Sequence, residues 1–277
     1  MSDKSKPVAE AESYYDSSSA DAFYRKLWGG EDIHVGIYQQ PDEDIATASR
    51  RTVETMAEAL ETIGPDSRVI DLGAGFGGSA RYLAERYGCH VTCLNLADNQ
   101  NAYNRELTQA AGLADRIDVV HGSFEAVDAP AASFDIVWSQ DAFLHSGNRP
   151  KVLDEVDRIL RPGGELIFTD PMQTDDCPDG VLDEIFKRIH LESFGSFAFY
   201  EAELERRGFE TVALMRMPEN LRAHYNRVRD VLIERREEIT GVAGAEYVEG
   251  MIPGLKRWVD GADQGYLTWG IAHFRKR

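Results

Sequence analysis

Val69-Ile70-Asp71-Leu72-Gly73-Ala74-Gly75-Phe76-Gly77-Gly78 decides the fold. Its first half is a short apolar run that, with Arg68, reads as a strand over residues 68–72, and residues 78–87 read as a helix. Between them, glycines at 73 and 75 let the backbone approach a ligand closely and reach φ values closed to other residues. A strand passing through a glycine turn into a helix is the opening unit of a doubly wound sheet. Ligands of such sheets lie outside the carboxyl ends of the strands, where the strand order reverses. Gly73-x-Gly75-x-x-Gly78 also fits the dinucleotide fingerprint by spacing, so the flanks must decide what binds.

Outward from this turn the same rhythm continues. Strands are predicted over residues 90–94, 117–121, 134–138 and 165–169, with helices over 98–111 and 150–160. Upstream, Ile45, Ala48, Val53, Met56, Ala57, Leu60 and Ile63 recur mostly at helical spacing, and Gly64-Pro65-Asp66 stops that helix. Such alternation predicts βαβ units and a mostly parallel sheet. After Thr169 it changes: helices over 179–190 and 199–207, a strand over 210–217, a long charged helix over 218–239, a helix over 245–259 and a closing strand over 266–274. We read residues 13–277 as one domain, with a core over 43–174 and inserted cap helices at about 175–200 and 219–260. Residues 1–12, polar and aperiodic, are expected to be a frayed tail.

Composition narrows the partners. The 277 residues carry 48 acidic against 30 basic side chains, a net charge of −18. Nucleic acid and anionic membranes call for a basic surface, so neither is expected as a partner. No run approaches the roughly 18 apolar residues of a membrane helix, and the first residues lack a secretory apolar core. Three cysteines, Cys89, Cys93 and Cys177, suit a reducing cytoplasm. Cys89 and Cys93 flank an apolar strand and read as buried thiols, so no metal site is expected. The acidity fits a salty cytoplasm or an ordinary acidic protein, and composition does not choose. A monomer or a homodimer is equally compatible.

The flanks of the glycine turn carry a resemblance. With Asp71 ahead of the turn, Val-Ile-Asp-Leu-Gly-Ala-Gly-x-Gly resembles the first motif of class I methyltransferases, which bind S-adenosyl-L-methionine. The resemblance implies an α/β Rossmann-like sheet of seven strands, mostly parallel with the last antiparallel. It also implies that Asp71, Gly73, Ala74 and Gly75 hold the methionine part of the cofactor. Where most such enzymes place an acid for the ribose, this chain has Asn95, followed by Leu96 and, five residues on, Gln100. An amide can accept from one hydroxyl and donate to another. The Asn/Gln pair resembles the branch of cyclopropane fatty acid synthases and of sterol and amine methyltransferases. Ser123 and Phe124, after the third strand, are implied at the adenine, and Gln140 ends the fourth strand beside the cofactor. Leu160-Arg-Pro-Gly-Gly-Glu-Leu166 resembles the family's turn into the fifth strand.

The outer stretches are more specific. Phe23-Tyr24-x-x-x-Trp28-Gly-Gly-Glu-Asp-Ile-His-Val-Gly-Ile-Tyr38, Trp138-Ser-Gln-Asp141-Ala-Phe-Leu-His145-Ser146, Phe168-Thr-Asp-Pro171-Met172-Gln173 and Tyr266-Leu-Thr-Trp-Gly270 together resemble the sarcosine/dimethylglycine N-methyltransferases, which make glycine betaine. That implies a small-molecule amine substrate. Attack by an amine asks for positioning and desolvation rather than a nucleophilic side chain. A quaternary product favours aromatic walls, for which Tyr15, Trp28, Tyr38, Phe143, Phe194, Tyr200 and Trp269 are candidates. Trp28, among polar and glycine neighbours, is expected as a lid over the cofactor. Asp141 and His145, four apart, would share one helix face, His145 placing the amine or relaying its proton and Asp141 orienting it. Pro171, Met172, Gln173, Tyr200, Tyr38 and His224 are the expected substrate contacts. The substrate carboxylate calls for a guanidinium fork, and Gln173, His224, Arg222 and Arg227 are possible donors with no choice among them. Competing readings are a phosphoethanolamine, sterol or natural-product methyltransferase, a dehydrogenase, which would need an acid at Asn95, and a scaffold, which would not need the glycines.

Overall fold

Strand β1 (Arg68–Leu72) is buried over four of its five residues because it lies inside the sheet, with a parallel neighbour on each side. The computed structural model describes residues 23–28, 30–189 and 191–277, so the expected tail of residues 1–12 and the candidate Tyr15 lie outside the described residues. From β1 the chain builds outward through β2 (His90–Asn95) and β3 (Ile117–His121), all parallel. It then crosses to the other side of β1 and lays down β4 (Phe134–Gln140) and β5 (Leu160–Thr169). The full order, with β6 (Met172–Gln173), β7 (Phe209–Arg216), β8 (Leu267–Thr268) and β9 (Gly270–Lys276), is β3-β2-β1-β4-β5-β9-β7 plus a β6-β8 ribbon. Only β9 among the seven runs against its neighbours, pairing antiparallel with both β5 and β7. The order reverses between β1 and β4, so a crevice opens at the carboxyl ends of these two strands.

Side chains of β1 alternate between two cores, as the pleat requires. Val69 joins Val91, Ile136 and Ile167 under α1 (Ile45–Ala59) and α2 (Gly78–Tyr87). Ile70 and Leu72 join Val137, Leu166 and Phe168 under α4 (Arg149–Ile159) and α6 (Phe197–Arg206), while α3 (Asp98–Ala110) packs beside β2 and β3. A third core lies beneath the cap. There α5 (Asp183–Ile189), α7 (Pro218–Glu234), α8 (Arg236–Ala243) and α9 (Ala245–Asp263) enclose Leu221, Tyr225, Val228, Met251, Leu255 and Trp258.

Among the boundaries that differ from the sequence reading, two have a clear local reason. The helix expected over 218–239 breaks at Arg235, whose Nη1 donates to the carbonyl of Lys26 at 2.9 Å while Nε and Nη2 grip Glu238. The closing strand is interrupted at Trp269, whose carbonyl accepts from Met217 N at 2.8 Å and whose indole turns inward.

The sheet also buries a charge. Glu165, fully enclosed on β5, accepts from His273 Nε2 of β9 (2.7 Å), from Glu61 N (3.1 Å) and from Thr62 N (2.8 Å) and Oγ1. Burial raises the cost of its charge, but the His273 and Thr62 hydrogen bonds outweigh it and hold the carboxyl down at about 2, against an ordinary 4.5. A folded-state value below the unfolded one contributes stability that is present above about 4.5 and is lost as pH falls through about 2. Glu165→Gln is therefore expected to destabilise by about 1–3 kcal/mol at neutral pH. Urea denaturation at pH 7 and pH 2.5 checks this, the gap between wild type and variant shrinking at the lower pH.

Candidate active site

The crevice between β1 and β4 is floored by the glycine turn. Gly73 sits at φ +86° and Gly75 at φ +52°, the left-handed region that glycine enters without strain. A methyl group on Gly73 would overlap the Cβ of Ala142, and one on Gly75 would lie 3.1 Å from Ile33 Cδ1. The turn is thus clamped between the exit of β4 and a strap of residues 31–38. The strap lies along α1 through Ile37 N to Ala48 O (3.0 Å), Ser49 Oγ to His34 O (3.0 Å) and Thr52 Oγ1 to Val35 O (2.9 Å).

Asp141, the residue after β4, fastens this strap. It takes φ +50°, uncommon for a side chain with a Cβ. Its Oδ2 accepts from Val35 N (2.7 Å), and its Oδ1 accepts from Thr169 Oγ1 of β5 (2.8 Å) and Trp269 Nε1 beside β9 (2.8 Å). Burial pushes its carboxyl up, against the pull of His34 and the three donors. Gln140 adds a second tie. An indole N–H can only donate, so the Trp138 Nε1 bond at 3.0 Å fixes Gln140 Oε1 as the acceptor, which Ser79 Oγ also reaches. Gln140 Nε2 therefore points at His34 Nε2 (3.1 Å), and His34 Nδ1 lies 3.2 Å from Val35 O.

Two cavities meet here. A groove of about 80 Å³ is lined by Gly73, Gly75, Asn95, Leu96, Gln100, Phe124 and Gln140. It continues past Ile33 and the glycine turn into a recess with Asp71, Ala74, Asp32 and Ser79 on its walls. A larger cavity of about 310 Å³ lies under the cap, against Tyr24, Trp28, Pro171, Tyr225, Tyr247 and Trp258. Asp141, His145 and Ile33 line both and form the wall between them. His145 is driven down to about 4 by burial and then by the charge of Arg149, so its ring is neutral at physiological pH.

The smaller groove fits the polar groups of S-adenosylmethionine. Asn95 Nδ2 donates to Gln100 Oε1 (3.0 Å), which leaves an amide oxygen and an amide NH₂ for a vicinal diol. In the recess, Asp71 is pushed up to about 8 by burial and by the nearby Asp32 carboxylate. Asp32 spends Oδ2 on Arg50 (2.9 Å) while its buried Oδ1 has no hydrogen-bond partner among the described residues. Two neighbouring carboxylates beside a cavity call for a cation, and the cofactor's amino acid end carries one.

The expected site residues divide. Asp71, Gly73, Ala74, Gly75, Asn95, Leu96, Gln100, Phe124 and Gln140 line the groove or its recess. Ser123 does not: its Oγ turns back to accept from Glu125 N (3.2 Å), and Gly122 takes the wall. Trp28, expected over the cofactor, faces the larger cavity instead, because the turn Tyr24–Trp28 tucks its ring against His224 (4.9 Å) and Tyr225 (6.0 Å). Asp141 and His145 come together, but not on a helix face. The left-handed Asp141 leads into a 3₁₀ turn, Phe143–His145, that swings the imidazole back to the wall.

Of the expected substrate contacts, Pro171 lines the larger cavity. Met172 is fully buried in the sheet core, and Gln173 is held in the β6–β8 ribbon with its N–H on Gly195 O (3.0 Å). Tyr200 is core, its hydroxyl donating to Asp170 Oδ2 (2.8 Å). Tyr38 and His224 line neither cavity. His224 Nδ1 accepts from Gly36 N (3.1 Å) and meets the Tyr38 hydroxyl (3.0 Å), fastening the strap to α7. Arg222 pairs with Asp263 at 3.0 Å, and Arg227 donates to Glu43 O at 3.1 Å. Among the aromatic candidates, Phe143 is core, Phe194 packs behind Trp258 (5.5 Å), and the Trp269 indole serves Asp141. The rings that do line the cavity beside Trp28 are Tyr24, Tyr225, Tyr247 and Trp258, with Tyr225 stacked on Trp258 at 4.6 Å. Sequence reading missed them because they sit among apolar helix positions that look like ordinary core; Ile185, Arg188 and Ile189 at helical spacing were the overlooked sign of a charge on an inward face.

A seven-stranded sheet of this order, with its glycine turn at the reversal point, defines a class I methyltransferase, and a methyltransferase domain family matches residues 70–168. Relatives narrow the class. The chain is 51% identical to a sarcosine/dimethylglycine N-methyltransferase of Halorhodospira halochloris, over 97% of this chain and 96% of that one. It is 47% identical to one from Aphanothece halophytica, over 96% of each. A solved structure from Galdieria sulphuraria, provisionally named a sarcosine dimethylglycine methyltransferase, superposes with a TM-score of 0.90 at 41% identity, covering 95% of this chain and 98% of that one. The chain belongs to the sarcosine/dimethylglycine N-methyltransferase family.

The Asp141 wall is testable by itself. In Asp141→Asn one acceptor oxygen becomes an NH₂ that faces a donor, and Val35 N is the expected loser. Loss of one hydrogen bond to a buried charge is expected to cost about 1–3 kcal/mol. Hydrogen exchange should show faster exchange of the Val35 amide, with the β1 and β4 amides unchanged.

Proposed function

We propose that this chain is an S-adenosylmethionine-dependent N-methyltransferase that carries sarcosine and dimethylglycine towards glycine betaine. The observation that carries the reading is the pair of cavities meeting at Asp141 and His145, one polar at both ends, the other walled by Trp28, Tyr225 and Trp258. Bound in the smaller groove, S-adenosylmethionine supplies an electrophilic methyl group on a sulfonium.

The chain's own residues do the rest. Gly73 and Gly75 admit the methionine part, Asp71 and Asp32 meet its ammonium, and Asn95 with Gln100 takes the ribose. Phe124 and Leu96 provide apolar walls for the base. The cap shuts water out of the larger cavity, which strengthens attraction between a cationic amine and the aromatic faces. The amine nitrogen must shed a proton to expose its lone pair. That proton is left to solvent before the cap closes, and His145, neutral with its value near 4, presents an uncharged ring to the amine and adds no repelling charge. Asp141 holds the wall and lends negative potential to the charge at nitrogen. A phosphorylated amine would call for several cations around its phosphate, whereas Arg188 alone among the described lining residues carries a guanidinium or ammonium group.

The acidic balance of −18 suits work in a salt-rich cytoplasm, where betaine serves as an osmoprotectant, and we extend the proposal to that role. Incubation with methyl-labelled S-adenosylmethionine and separately with glycine, sarcosine, dimethylglycine and phosphoethanolamine, at low and high salt, tests the activity. Label is expected in dimethylglycine and betaine from the second and third substrates. No transfer to either at any salt sinks the proposal.

A further inference from the structure

The larger cavity contains a cation, Arg188, with no counter-ion among the described residues. Arg188, on α5, follows the buried Ile185 by three residues and precedes Ile189, so its side chain leaves an inward face. Its guanidinium lies across α9 at Gly254, where an added Cβ would coincide with Nη1 and Cζ. Only a residue without a side chain leaves that space. The preceding Pro253 is also unusual inside a helix, so Pro253-Gly254 makes a bare notch in a wall otherwise built from Met251, Leu255 and Trp258.

Nη2 of Arg188 donates to Met251 Sδ (2.7 Å), a weak acceptor. Among the described residues no carboxylate lies within ion-pair distance of this guanidinium, although the chain carries 48 acidic side chains and pairs many of its other arginines. A half-buried guanidinium served only by a thioether is costly unless a ligand completes it. Of the two carboxylates on the same cavity, Asp141 is committed to three donors and Glu246 stands exposed at the rim.

We infer that Arg188, seated in the Gly254 notch, is the receptor for the carboxylate of the amino acid substrate. The inference rests on the reading of the larger cavity as the site of a methylated glycine. It completes that reading chemically: a zwitterion presents its nitrogen to the Asp141 and His145 wall and its carboxylate to a planar fork. In a protein this acidic, a carboxylate needs a local cation to enter at all.

The test compares dimethylglycine with N,N-dimethylethanolamine, which keeps the amine and lacks the carboxylate, at saturating S-adenosylmethionine. For Arg188→Gln we expect the KM for dimethylglycine to rise about 30-fold or more, as for truncation of one partner of a buried charge pair. The preference for dimethylglycine over the amino alcohol should collapse, with affinity for S-adenosylhomocysteine unchanged, a combination that mere loosening of the cap would not give. Gly254→Ala should act in the same direction by evicting the guanidinium, although alanine favours a helix. An Arg188→Gln enzyme that binds S-adenosylhomocysteine normally and keeps both its KM and its preference overturns the assignment. If Arg188→Gln fails to fold, the same two readouts on Gly254→Ala decide, unchanged values overturning it. Wild-type enzyme that leaves dimethylglycine unmethylated overturns the underlying reading instead.

Discussion

One carboxylate holds four parts of the molecule in register. Asp141 ends β4 in a left-handed turn and accepts from the strap at Val35, from β5 at Thr169 and from the segment before β9 at Trp269. Each donor comes from a different stretch of chain, so the wall between the two cavities exists only in the assembled fold. Burying a charge is costly, and three donors offset much of that cost. The same wall carries His145, and the same strap presses Ile33 and Asp32 against the glycine turn. The two cavities are therefore built by shared residues rather than placed side by side.

The electrostatics follow one pattern. The recess beside the glycine turn holds two carboxylates that repel each other, Asp71 being pushed up to about 8. The larger cavity holds a guanidinium whose side-chain hydrogen-bond partner among the described residues is a thioether. Between them stand an aromatic wall and a neutral imidazole. On the proposed reading, ammonium, sulfonium, amine and carboxylate would each meet a region suited to them, with local potentials left for ligands to complete. Such preorganisation places the cost of desolvation in the folding of the chain and spares the binding step.

How much of this was legible in the sequence depended on whether local spacing carried the signal. The glycine turn, Asn95 with Gln100, and the alternation of strands and helices are local patterns, and the structure places those residues along one groove. The strap is a continuous stretch of sequence, but its attachment to Asp141 spans 106 positions and has no local trace. Trp28 was assigned a lid role from its polar neighbours, yet packing against α7 turned it to the other cavity. Tyr200 and Met172 lie near the cavity in sequence terms but point into the sheet core. Arg188 escaped notice because a seven-residue helix gives little periodicity, and its partner is an absence, the missing side chain of Gly254.

The central claim is that reaction occurs across the Asp141 and His145 wall, and a crystal structure of the ternary complex with S-adenosylhomocysteine and dimethylglycine tests it most directly. The account predicts the nucleoside in the groove beside Asn95 and Gln100, with dimethylglycine under the cap. Its nitrogen should face the sulfur past His145, across the space of one methyl group. Dimethylglycine bound outside the larger cavity, or a thioether sulfur turned away from that wall, would contradict it.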